Sequence, residues 1–123
     1  MTNRRLAITV AAAALSFHAL NAGATVYQGY VTNVTASFGV VYIYVGNGTY
    51  GGSQGNCPLG TGMVYSIAVS PTANDFNKTL IAIALSAKST GLVVYAAGDG
   101  VCTNGNPYNG GGSEGLSYLD LKG

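Results

Sequence analysis

The sequence predicts a mainly β domain that contains a single helix. Charged residues make up only 7% of the chain, which also carries 19 Gly and 9 Tyr; an ordinary globular domain has roughly 25% charged residues. Short β-branched and aromatic runs alternate with Gly-rich stretches, as in domains built from strands and turns. Only one segment repeats its apolar residues with the helical period. The length of 123 residues favours one domain.

The start of the chain has the anatomy of a secretory signal peptide. Two arginines precede an apolar run, and Ala22-Gly23-Ala24 is a small-x-small cleavage site. The alternative is a membrane anchor, but a span needs about 20 apolar residues, and this run is shorter and contains His18. We therefore expect a bacterial-type signal peptide over 1–24, cleavage near Ala24, one domain over 25–123, and a secreted or periplasmic product.

Removing the signal peptide leaves a chain without His, Arg or Trp. Without histidine, Ser–His and Cys–His nucleophile systems and imidazole-dependent zinc sites are excluded. The remaining charges come from a few lysines and slightly more acids, which give no basic patch for nucleic acid. They are Lys78, Lys88, Lys122, Asp75, Asp99, Glu114 and Asp120. We expect a non-enzymatic protein with no cofactor, no metal site and no nucleic-acid partner.

The strongest strand pattern lies over 39–45, where β-branched residues alternate with Val40, Tyr42 and Tyr44. Both faces are largely apolar, so we expect a central strand that is covered on both sides or has one face at an interface. The other predicted strands are 26–35, 63–69, 92–97 and 116–121. Gly-rich loops are predicted over 46–62 and 98–115.

One helix is predicted, over Asp75–Thr90. Asn74 is a suitable N-cap, Asp75 places a negative charge in the first turn, and Gly91 is a natural stop. Apolar residues recur at the helical period. Of these, Phe76, Leu80 and Ile83 are expected to be buried, with Lys78 and Lys88 exposed.

Cys57 and Cys102 are the cysteines of the chain. An even pair in an exported protein indicates one disulfide, with Cα atoms roughly 4.4–6.8 Å apart. Two free thiols or an intermolecular bridge are the alternatives.

A helix between the third and fourth of five strands is the arrangement of the OB-fold. The sequence therefore predicts an OB-fold-like small barrel with the order β-β-β-α-β-β. The helix would close one end of the barrel. An open α+β sheet with one covering helix is the alternative.

The segment 77–95 combines an Ala- and Leu-rich helix, a Thr-Gly stop and a β-branched strand. It resembles small secreted bacterial proteins related to the B subunits of AB-type toxins of the subtilase-cytotoxin and pertussis-like kind. Gly29-Tyr30-Val31-Thr32 and the two cysteines are compatible with this resemblance. The resemblance implies an OB-fold that binds glycans, often as a ring of five.

Several of those B subunits place a Ser directly before the Gly that opens strand one, where it contacts sialic acid. Gln28 stands at that place in this chain, before Gly29. Residues 25–123 also contain no Arg to pair with the carboxylate of a sialic acid. These two differences argue against sialic acid and leave neutral sugars open.

Tyr50 and Tyr108 are the best tyrosine candidates for a ligand site, because the predicted Gly-rich loops hold them and loops carry binding groups. A tyrosine ring suits the apolar side of a pyranose. With Gln28 they form the predicted ligand-binding set. Two hypotheses remain: a secreted glycan-binding module, and a periplasmic or extracellular structural or partner-binding protein with no sugar site.

The scarcity of charge and the apolar second strand also predict a homo-oligomer. Part of the Tyr42/Tyr44 face, or a neighbouring strand edge, would lie at the interface. The competing hypothesis is a monomer whose second strand is covered by the helix on one side and by the Gly-rich loops on the other.

Overall fold

The structure, a computed structural model, describes residues 24–51, 57, 62–103, 105–108 and 110–122. Except for Ala24, the predicted signal peptide lies outside these ranges. The elements are β1 (Val26–Ser37), β2 (Val40–Tyr50), β3 (Gly62–Ala68), α1 (Asp75–Thr90), β4 (Val93–Thr103) and β5 (Ser113–Leu121). The predicted mainly β domain, with one helix between the third and fourth strands, is confirmed for the described residues. Within these ranges no helix has the length and apolar character needed to cross a membrane.

The strands form one sheet in the order β1-β2-β3-β5-β4, and β4 pairs back onto β1, so the sheet closes on itself. The pairing of β3 with β5 is parallel, and the other pairs are antiparallel. One face of β2 is turned inward through Val41, Ile43 and Val45, all buried. The core therefore lies inside the closed sheet, and the alternation along β2 separates this inner face from the face that carries Tyr42 and Tyr44.

Two stretches predicted as loops are partly strand. The end of β2 pairs with β1 through Tyr27↔Tyr50 and Gln28↔Thr49. Farther along, Thr103 of β4 pairs with Ser113 of β5. The glycines made these stretches resemble loops, but the hydrogen-bonding partners on neighbouring strands extend the sheet into both.

The predicted bounds of α1 are confirmed, because its caps form as expected. The side chain of Asn74 accepts a hydrogen bond from the Asn77 N–H at 2.7 Å. At the other end Gly91 adopts a left-handed conformation with φ of 70°, and its N–H donates to the Ala87 carbonyl at 2.9 Å. The amino-terminal cap and the carboxy-terminal glycine thus limit the helix at both ends.

The expected burial of Phe76 is wrong. The buried residues of α1 are Leu80, Ala84 and Ala87, while Ile83 is partly buried against the core. Phe76 lies in the first turn, at the margin of this face, and is 56% exposed. Small alanines line the rest of the face, which lets the helix lie close to the sheet. Lys78 and Lys88 are exposed, as predicted.

Cys57 and Cys102 form the predicted disulfide, with Cα atoms 5.6 Å apart. It joins a position ahead of β3 to the end of β4. Cys57 is buried and belongs to the hydrophobic core. The bridge therefore ties the segment before β3 to β4 and is consistent with an oxidising compartment.

Candidate functional site

The three predicted ligand-binding residues do not lie together. Gln28 is exposed on β1, and Tyr50 ends the neighbouring strand beside it. Tyr108 instead contacts Thr35, seven residues farther along β1, which is roughly 23 Å along an extended strand. The predicted set is therefore divided between the two ends of the β1–β2 pair.

Tyr50 has a structural role within the sheet. Its hydroxyl donates to the carbonyl oxygen of Gly62, the first residue of β3, at 2.6 Å. Its ring stands edge-to-face on that of Tyr27, with 4.9 Å between centroids. Tyr50 is the last residue of β2 and does not lie in a loop. Its hydroxyl links the end of β2 to the start of β3.

Tyr108 covers the outer face of β2. Its hydroxyl lies 2.9 Å from Thr35 Oγ1 and 3.1 Å from the Tyr42 carbonyl oxygen. Its backbone N–H donates to the Asn106 side chain at 2.9 Å. Tyr42 and Tyr44 are half-buried as a result. This matches one half of the monomer hypothesis, a Gly-rich segment over one side of the second strand. The other half does not hold, because α1 packs mainly against β1 and β5.

A different group of side chains shares the outer face of β1, β4 and β5, where Gln28 and Tyr118 are exposed and Tyr95 and Asp120 are half-buried. Gln28 is the cross-strand partner of Tyr95, and Tyr95 is the partner of Asp120. Tyr118 precedes Asp120 by one full strand repeat, so it faces the same side. We call this surface the tyrosine strip; it consists of Gln28, Tyr95, Tyr118 and Asp120.

The two rings of the tyrosine strip are perpendicular, with 6.2 Å between their centroids. Tyr118 is 50% exposed. The Lys122 ammonium lies 5.7 Å from the centroid of the Tyr95 ring and 3.1 Å from the Asp120 carboxylate. Tyr118 therefore presents an accessible aromatic surface, with a lysine–carboxylate pair close by.

The tyrosine strip has the donors and acceptors that a polyhydroxylated ligand requires. The Gln28 amide both donates and accepts hydrogen bonds, and the Asp120 carboxylate accepts them. An aromatic ring packs against the C–H face of a sugar. The resemblance to toxin B subunits drew attention to Gln28, but nothing in the sequence indicated Tyr118. The placement of Tyr118 beside Tyr95 depends on the pairing of β4 with β5.

A second polar cluster is buried at the start of β1. The Glu114 carboxylate accepts from the Thr25 backbone N–H and from the Thr25 hydroxyl, each at 2.8 Å, and from the Gly100 N–H at 3.2 Å. The Thr25 carbonyl in turn accepts from the Tyr65 hydroxyl at 2.8 Å and from the Gly98 N–H at 3.1 Å. Thr25, Tyr65 and Glu114 have no exposed surface. We call them the Thr25 cluster.

Burial raises the pKa of Tyr65 far above its ordinary value, and the nearby Glu114 carboxylate raises it further. The Tyr65 hydroxyl therefore stays protonated and remains a donor to Thr25. Glu114 was one of several acids in the sequence without an assigned partner. The hydrogen bonds between Thr25 and Glu114 join residues that are 89 positions apart in the sequence. No local sequence pattern could have predicted this contact.

Comparisons of the chain with protein-family models, with curated proteins and with solved structures gave no match.

Proposed function

We propose that this protein is a secreted, non-enzymatic binding module that recognises neutral glycans through the tyrosine strip. The observation that carries the proposal is the half-exposed ring of Tyr118, which stands beside Tyr95 on the same surface as Gln28. Sugar-binding surfaces combine an aromatic platform with amide and carboxylate groups that bind hydroxyls. The strip offers both within three neighbouring strands.

Neutral sugars are the favoured class because of the charges around the strip. Its carboxylate, Asp120, would repel an acidic sugar, and Lys122 is already paired with it. Residues 25–123 contain no Arg for bidentate recognition of a carboxylate. A hexose or a short neutral oligosaccharide fits this environment better than a sialic acid.

We propose further that the closed five-stranded sheet with α1 is an OB-fold, as in the toxin B subunits that the chain resembles. The strand order and the position of α1 between β3 and β4 support this assignment. A homo-oligomer remains part of the proposal. It is supported by the low charge content and by exposed apolar side chains such as Phe38 and Leu85. Light scattering on oxidised residues 25–123 tests it, and the mass of a single chain at micromolar concentration contradicts it.

A glycan array followed by calorimetry on oxidised residues 25–123 tests the binding proposal. We expect a signal that free sugar competes away. Tyr118→Ala should weaken the affinity at least about tenfold, since it removes the aromatic platform. Phe38→Ala is the matched control, because Phe38 is also exposed but lies at the β1–β2 turn. Absence of sugar binding, or equal losses in both variants, contradicts the proposal.

The second candidate is a periplasmic or extracellular structural or partner-binding protein with no sugar site. It is favoured by the exposure of Phe38, a fully accessible aromatic side chain at a turn. Exposed apolar side chains of this kind are common at protein interfaces. In that case Phe38→Ala abolishes binding to a protein partner and Tyr118→Ala leaves it intact, the reverse of the pattern for the glycan proposal.

A further inference from the structure

The Thr25 cluster holds a buried carboxyl group that accepts hydrogen bonds but has no cationic partner among the described residues. Glu114 is wholly buried, and an ionised carboxylate is costly to bury without an opposite charge. Among the described residues, no lysine forms an ion pair with it. Lys78 and Lys88 are exposed on α1, and Lys122 pairs with Asp120.

The predicted signal-peptide cleavage would supply a positive charge next to Glu114. Hydrolysis of the Ala24–Thr25 peptide bond leaves Thr25 as the first residue and turns its backbone nitrogen into an α-amine. This nitrogen lies 2.8 Å from Glu114 Oε2. An α-amine has an ordinary pKa of about 7.7–8.0, so it carries a positive charge at neutral pH.

We propose that the new α-ammonium of Thr25 forms a buried ion pair with Glu114, and that processing of the precursor thereby completes the fold. The Glu114 carboxylate accepts from the nitrogen of Thr25 at one oxygen and from its hydroxyl at the other. The carbonyl of Thr25 is held by Tyr65 and Gly98. The nitrogen, the hydroxyl and the carbonyl of Thr25 thus each have a hydrogen-bond partner, so the cluster is a binding site for an amino-terminal threonine.

The geometry also orders the events. Ala24 is buried in the folded chain, so a peptidase must cut before the domain folds. In an uncleaved precursor, Glu114 faces an uncharged amide N–H in place of an ammonium. The folded precursor is therefore less stable than the processed protein. Stability therefore increases after export, when the precursor no longer needs to stay unfolded.

The test compares two chains with defined first residues, one beginning at Thr25 and the other at Gly23. Each is prepared with Glu114 and with Glu114→Gln, in oxidised form at pH 7. The chain that begins at Thr25 should have the higher Tm. Glu114→Gln should lower its Tm by roughly 10 °C or more, because the ammonium loses its partner. The same substitution should change the Tm of the Gly23 chain much less, since glutamine still accepts from an amide. Equal effects in the two chains overturn the proposal.

Periodate oxidation gives a second readout that needs no substitution at Glu114. Periodate cleaves an amino-terminal threonine, whose amine and hydroxyl are adjacent, and spares an amino-terminal glycine. Oxidation of the folded Thr25 chain should be slower than that of the urea-unfolded chain by roughly 100-fold. Equal rates overturn the proposal, even where the Glu114→Gln chains fail to fold. Mass spectrometry of the exported protein must also show Thr25 as the first residue, and any other first residue overturns it.

Discussion

The ring of Tyr108 stands edge-on to that of Tyr44, with 5.6 Å between the two centroids. This contact places the segment between β4 and β5 over the outer face of β2. This face carries Tyr42 and Tyr44, and its apolar character led us to predict a subunit interface there from the sequence. A homo-oligomer of this fold would therefore use another surface, or would have to displace Tyr108.

Tyr108→Ala should lower the free energy of unfolding by about 1–3 kcal/mol, because a half-buried ring and its hydrogen bonds are lost. Tyr108→Phe keeps the ring and should cost only about 1 kcal/mol. Urea denaturation of the two variants measures the difference. A cost for the alanine variant no larger than that of the phenylalanine variant would show that the ring does not pack on Tyr44.

Leu80→Ala should cost about 2–5 kcal/mol, since the substitution leaves a cavity between α1 and the sheet. Leu85→Ala is the matched control on the same helix, and its cost should stay within about 0.5 kcal/mol. The two leucines are 3% and 52% exposed. Similar losses for both in thermal or urea unfolding would mean that α1 is rotated from the position described.

Loss of the disulfide should destabilise the protein strongly. Cys57→Ser removes a cross-link between positions separated by 45 in sequence and should cost on the order of 2–5 kcal/mol. Dithiothreitol should lower the stability of the parent chain and leave that of Cys57→Ser/Cys102→Ser unchanged. A parent chain whose stability does not respond to the reductant would contradict the bridge.

Two glycines should differ in their tolerance of a methyl group. A Cβ at Gly98 would overlap the Glu114 carboxylate, so Gly98→Ala should cost about 3 kcal/mol or more by disrupting the Thr25 cluster. Gly91 has open space around it but a φ of 70°. Gly91→Ala should therefore cost only about 1–2 kcal/mol, the strain of a left-handed residue. Chemical denaturation ranks the two, and the reverse ranking contradicts the cluster geometry.

Tyr65 should make the protein sensitive to alkaline pH. Its pKa in the folded state is raised by burial, whereas in the unfolded chain it is near 10. The raised pKa means that the stabilisation is fully present below pH 10. It falls above pH 10 by up to about 1.4 kcal/mol per pH unit, because only the unfolded chain releases the proton.

Tyr65→Phe removes this proton and should flatten the pH dependence, although the lost hydrogen bond to Thr25 lowers stability at pH 8 by about 1–2 kcal/mol. Unfolding free energies of parent and variant at pH 8, 10 and 11 provide the comparison. Parallel curves between pH 10 and pH 11 would exclude Tyr65 as the source.

The elements that sequence predicts well are those set by local chemistry. α1 begins and ends as expected because Asn74 caps its first turn and Gly91 supplies the left-handed residue after its last. The disulfide follows from an even pair of cysteines in a chain whose first residues predict export. The alternation of Val41, Ile43 and Val45 identifies the inner face of β2, since side chains on a strand alternate between two faces.

The parts that sequence misses depend on distant neighbours. Tyr50 occurs in a Gly-rich stretch, yet pairing with Tyr27 makes it part of β2. Phe76 lies at the helical period from Leu80, so the sequence predicts that both are buried. The position of the sheet shows that the buried face of α1 does not extend to Phe76. Tyr118 and Glu114 gain their significance from partners on β4 and at Thr25, which become visible once the sheet closes.

The parallel junction between β3 and β5 gives the Thr25 cluster a consequence for aggregation. In the described residues this junction pairs Tyr65 with Glu114 and Ser66 with Gly115, fewer pairs than in any other junction of the sheet. An open junction would expose one unpaired edge on β3 and one on β5. Such edges recruit strands of other chains, and proteins usually guard them with charged side chains. This chain has few charges for that purpose. Tyr65 of β3 and Glu114 of β5 both bind Thr25. Thr25 therefore links the two strands across the junction and favours the closed sheet where protective charges are few.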